Sequence, residues 1–258
     1  MRVTAFLNLK GGVAKTVSTV NTAAILADAG KRVLVIDADS QCNTSDFFGG
    51  PIYGNGNQNT IADLLRREAD SGAETIIPST FPGIDIICAD DSLMDLDLSK
   101  VEAGKISTGC IKELLGNLAD FGKPDGYDFV FIDCPPAFNA ATVAALLAAD
   151  DVVIPIKLDA FSFQGMANLM RQVQNMQRVN PKLQVAGILP VMWYKSTQIS
   201  EAEAALKKSG LNVFHHIRRS PTVDTMTYRQ EPLIKSSRNS GAGRDYKVFV
   251  DEYLKGGK

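Results

Sequence analysis

The chain has 258 residues, 45% of them hydrophobic, which is enough apolar material for one substantial core and favours a single domain over residues 1–258. A formal charge of −2 excludes a uniformly basic nucleic-acid coat. The balance is uneven, because Lys207 to Lys247 holds nine Lys or Arg against three acids on an otherwise acidic body. Such a segment is read either as a surface facing a polyanion or as an ordinary solvated face.

Cys42, Cys88, Cys110 and Cys134 are widely spaced, with no C-x-x-C pair. That pattern fits neither a zinc site nor a disulfide scaffold and is expected of small buried residues in a reducing cytoplasm. No apolar run of about 18 residues suggests a membrane span, and no signal peptide is expected.

In chain order, "VTAFLN" (3–8) reads as a strand running into a glycine-containing loop, "LKGGVAKT" (9–16). Lys15 to Ala29 has helical periodicity, with Val20, Ala23, Ala24 and Ala27 on one side and Gly30 as its stop. "RVLVIDAD" (32–39) is a buried-type strand ending in carboxylates, so the opening unit is βαβ. Residues 49–59, rich in Gly and Asn, read as an exposed loop. Strands follow at 83–89, 127–136, 151–157 and 184–192. Helices are expected over 139–149, about 163–179, near 198–208 and about 243–254. Alternation of this kind predicts an α/β fold: a doubly wound, mostly parallel sheet flanked by helices.

The loop after the first strand is the candidate site. At the carboxyl end of a parallel strand, a helix N-terminus offers unpaired N–H groups and the positive end of its dipole. Gly11 and Gly12 would let the backbone approach a phosphate, Lys15 would reach the β and γ phosphates, and the Thr16 hydroxyl would ligate Mg²⁺. Asp37 and Asp39 end one strand and Asp133 another, which are the oxygen ligands a Mg²⁺–nucleotide site requires.

These residues carry a family resemblance. "KGGVAKT" fits the deviant Walker A pattern K-G-G-x-x-K-S/T, while "VLVIDADSQCN" (33–43) and "YDFVFIDCPPAFN" (127–139) resemble the acidic and Walker B segments of the ParA/MinD ATPases. "LLAADDVVIPIKLDAFSFQGMANLM" (146–170), "GILPVMW" (187–193) and "IRRSPTVDTMTYRQEPLI" (217–234) are similar to the ParA, Soj-like branch. The resemblance implies a P-loop NTPase fold, ATP and Mg²⁺ as cofactors, and weak intrinsic ATPase activity.

By the same resemblance, residues Lys10, Gly11, Gly12, Val13, Ala14, Lys15, Thr16 and Val17 bind nucleotide, with Pro221 near the base. Lys10 would cross a homodimer interface to the partner's phosphates. Lys10, Lys15 and Asp39 would serve catalysis, Asp39 by positioning water; Thr16, Asp37 and Asp133 would serve the metal, and 134–139 would sense the γ-phosphate. Ala14 stands where Gly is commoner and would cost about 1 kcal/mol if that position needs φ > 0. Arg218, Arg219, Arg229, Lys235, Arg238, Arg244 and Lys247 fall in the region where relatives bind double-stranded DNA non-specifically. The implied partner is a ParB-like centromere-binding protein, and the implied role is plasmid or chromosome segregation, cytoplasmic and on the nucleoid when ATP-bound. The competing reading is a MinD-like membrane-associated positioning ATPase, which needs an amphipathic basic tail. Asp251 and Glu252 in "RDYKVFVDEYLKGGK" weigh against it.

Overall fold

A computed structural model describes residues 1–49, 58–69, 72–120 and 126–256. Its strands are β1 (Arg2–Phe6), β2 (Val33–Asp37), β3 (Ile76–Pro78), β4 (Ile84–Ile87), β5 (Phe129–Asp133), β6 (Asp151–Lys157) and β7 (Gln184–Val191). They form one sheet in the order β3-β4-β2-β5-β1-β6-β7, parallel throughout except for the β3–β4 edge. The helices are α1 (Lys15–Asp28), α2 (Asn43–Phe48), α3 (Ile61–Arg66), α4 (Leu98–Glu102), α5 (Cys110–Asp120), α6 (Ala140–Ala148), α7 (Ala160–Gln177), α8 (Thr197–Lys207), α9 (Pro221–Arg229), α10 (Leu233–Ser236) and α11 (Gly241–Leu254). The strands and long helices expected from periodicity are present, and Gly30, at φ 80, follows the end of α1. The loop expected over 49–59 lies mostly outside the described residues.

Alternation along the central strands divides the core. Val3, Ala5 and Leu7, with Leu34, Ile36, Val130 and Ile132, face the layer of α3, α5, α6 and α7. Phe6, Val33, Val35 and Phe131 face α1 and α11. Tyr246, Phe249, Val250 and Tyr253 of α11 are buried there and serve the core, while Leu254 at its end is exposed. Among the described residues no helix is long and apolar enough to cross a membrane. Cys88, Cys110 and Cys134 are buried as expected, but Cys42 is half-buried. It occupies the left-handed turn before α2, at φ 55, where the chain leaves the sheet.

Candidate nucleotide and metal site

The carboxyl ends of β1, β2, β5 and β6 meet at one edge of the sheet, where a parallel α/β fold places its ligands. From Phe6 the chain crosses to α1 through Leu7–Ala14. The Asn8 side chain fixes this loop: its amide donates to the Pro155 carbonyl on β6 at 2.7 Å, and its oxygen accepts the Lys10 N–H at 2.9 Å. Gly12 adopts φ 68, which favours glycine. A Cβ placed on Gly11 or Gly12 meets nothing within 4 Å, so the surface they leave is open.

Ala14 also adopts a left-handed conformation, φ 56 and ψ 35, so the condition attached to its cost is met. As N-cap of α1 it supplies no side-chain bond. By contrast Asn139, Ser196, Ser220 and Ser240 cap α6, α8, α9 and α11. The first turn of α1 therefore keeps N–H groups for an anion. Val13 is buried.

Lys15 is only 7% exposed, and among the described residues its ammonium has no carboxylate partner, only a 3.5 Å contact to the Lys10 carbonyl. A nearly buried cation so weakly paired is poised for an anion. Thr16 donates its hydroxyl to Asp133 Oδ2 at 2.6 Å, and Thr44 does the same at 2.7 Å. Asp133 Oδ1 is buried without a hydrogen-bond partner among the described residues.

Asp37 and Asp133 are register partners on adjacent strands. Asp37 Oδ2 accepts the N–H and hydroxyl of Ser45 at 2.8 and 2.7 Å, tying β2 to the start of α2, and Oδ1 accepts the Asp39 N–H at 3.1 Å. Burial and then the neighbouring Asp133 push Asp37 up to about 8. Burial likewise raises Asp133 to about 6, against the Thr16 and Thr44 hydrogen bonds and Lys15. Two carboxylates raised by burial, an orphaned oxygen and a hydroxyl fit a hard divalent cation such as Mg²⁺. Asp39, mostly buried, accepts the Gln41 N–H at 3.0 Å.

Lys10, expected to point toward a second subunit, instead lies along its own chain: Nζ is 2.8 Å from both oxygens of Asp159. Beside the loop is a cavity of about 700 Å³. Gly12, Ala14 and Val17 line it on one side, with Met192 and Pro221 on the other, so Val17 and Pro221 border one space. Cys134 is buried, and Asn139 caps α6 through the Thr142 N–H at 3.1 Å. The sequence reading passed over Asn8, Thr44, Ser45 and Asp159. Asp159 carried the same signal as Asp39, an acid two residues past a buried strand.

A family model described as an AAA domain, AAA_31, matches residues 1–185. The chromosome partitioning protein ParA of Caulobacter vibrioides is 36% identical over 206 residues, covering 79% of this chain and 74% of its own. The chain belongs to the ParA/MinD family. Solved members of the same fold include a variant of McdA from Cyanothece in complex with ATP. It has a TM-score of 0.83 at 21% identity and covers 99% of this chain and 96% of its own. Cobyrinic acid a,c-diamide synthase from Mycobacterium smegmatis, with a bound ATP analogue and magnesium, has a TM-score of 0.78 at 24% identity. It covers 100% of this chain and 97% of its own.

Against this ParA/MinD framework the basic residues of the C-terminal third divide into two groups. Arg218 makes a bidentate pair with the buried Asp245, at 2.7 Å to each oxygen, and Arg238 donates through Nη2 alone to both oxygens of Asp28, at 2.9 Å to each. Lys235 pairs with Glu231 at 3.3 Å. Arg219, Arg229, Arg244 and Lys247 have no carboxylate partner among the described residues, and the three arginines are exposed.

Proposed function

We propose that the chain is an ATP-driven switch of the ParA type. The observation that carries this reading is the meeting, at one sheet edge, of a two-lysine loop, the Thr16 hydroxyl and three strand-end carboxylates. The α1 N-terminus and Lys15 would hold the phosphates, with the base in the cavity bordered by Met192 and Pro221. Thr16 and Asp133 would hold Mg²⁺, with Asp37 close by and linked through Ser45 to α2. When bound, the metal supplies neutralisation of charge on the phosphoryl oxygens. Asp39 would orient the attacking water. Lys10, released from Asp159, would reach the phosphates of a second copy, so that ATP holds a homodimer together and ADP holds it less well.

The dimer would gather the exposed arginines into a sequence-independent surface for double-stranded DNA. A ParB-like partner would stimulate slow hydrolysis and release the ATPase from DNA, which moves plasmids or chromosomes. Asp39→Ala is expected to bind ATP normally and lose turnover by a factor of 10² or more, on the order of what a positioned group supplies. Lys10→Ala is expected to bind ATP and fail to dimerise in light scattering. Wild-type turnover in the first variant, or ATP-dependent dimers in the second, would refute these roles.

A further inference from the structure

Asp159 follows β6 in a turn so tight that its N–H donates to the Lys157 carbonyl at 2.9 Å. The turn puts one carboxylate between two cations. Lys10 holds both oxygens at 2.8 Å, while Lys157 Nζ stands 3.9 Å from Oδ2, inside ion-pair range but beyond a hydrogen bond. Lys157 also borders the cavity beside Gly12. Because Asn8 fixes the Lys10 backbone, the Lys10 side chain can swing away while its loop stays in place.

For Lys10 to reach a second subunit, its ammonium must give up Asp159. The carboxylate left behind is only 29% exposed, and Lys157 is close enough to close in with little movement. We propose that Asp159 is a positioning residue that parks Lys10 in the single chain, and that Lys157 takes over Asp159 when Lys10 leaves. The inference deepens the dimer reading and rests on it. Both cations are partly exposed, so the exchange biases dimerisation by about two- to fivefold and does not gate it absolutely.

The test uses the full chain as wild type, Asp159→Asn, Lys157→Gln and the double variant. Two quantities are read: the ATP concentration at half-dimerisation by light scattering, and the acetylation rate of Lys10 in the nucleotide-free monomer by mass spectrometry. Asp159→Asn is expected to dimerise at about two- to fivefold lower ATP and to acetylate Lys10 faster. Lys157→Gln is expected to need more ATP by a similar factor with Lys10 labelling unchanged, and to have no effect once Asp159 is Asn. One common midpoint for all four chains, additive effects, or unchanged labelling in Asp159→Asn would overturn the exchange while leaving the dimer reading standing. A wild type that stays monomeric with ATP, yet shows faster labelling in Asp159→Asn, would overturn the dimer reading and the Lys157 takeover together.

Discussion

Ala14 sits at φ 56 and ψ 35 in the turn from β1 to α1, a backbone state in which its Cβ crowds the following carbonyl. Among the described residues the other non-glycine positions with positive φ are Cys42, Arg67, Met192 and Gln230. Cys42 precedes α2 and Met192 lines the cavity, so three of the five surround the site, where stored strain is commonly found. Ala14→Gly removes the crowding but frees the unfolded chain, and the net gain is expected to be about 0.5–1 kcal/mol. Chemical denaturation of the nucleotide-free chain checks this; an unchanged or lower stability would show that neighbouring contacts hold Ala14 without cost.

At the level of elements, the core strands and α1, α6, α7, α8 and α11 were legible because each repeats its apolar period over several turns or alternations, as in "VLVID" or "AATVAALLA", whereas the 11-residue α5 was not expected. The chemistry-bearing loop was legible because glycine, lysine and threonine keep a fixed spacing there. Short helices were not: α2 and α3 have six residues each, too few turns for a period to emerge. The signals that did exist were caps, Thr60 with Asp63 before α3 and Ser220 with Pro221 at α9. Long-range pairings such as Lys10 with Asp159, or Arg218 with Asp245, leave no trace in local pattern. Another of these joins elements directly. The fully buried Asn21 on α1 donates to the Val17 carbonyl at 2.8 Å and accepts the Leu233 N–H at 3.0 Å, anchoring α10. Asn21→Ala strands that buried N–H and is expected to cost about 1–3 kcal/mol. A melting curve indistinguishable from wild type would mean that α10 finds a substitute acceptor.

For the whole molecule, the surplus of basic residues near the C-terminus is smaller in effect than in count, since Arg218, Lys235 and Arg238 already answer Asp245, Glu231 and Asp28. The expectation for DNA therefore falls on Arg219, Arg229, Arg244 and Lys247. If all four reach phosphates, log affinity for random duplex should fall against log salt with a slope on the order of −3 to −4 per chain. Arg219→Glu with Arg244→Glu should flatten that slope, whereas Arg238→Gln should leave it unchanged; filter retention with ATP across a salt series distinguishes them. The placement of β1 has a consequence for how the chain is made. It lies between β5 and β6, and Arg2 bonds to Asp151, 149 positions later. During synthesis the segment that becomes β1 stays unpaired until β5 has left the ribosome, and it is flanked on both sides only once β6 follows, because closing so long a separation precedes any reward from pairing. The phosphate loop inherits that delay, so ATP can assist only the closing stages of folding, after most of the polypeptide has emerged.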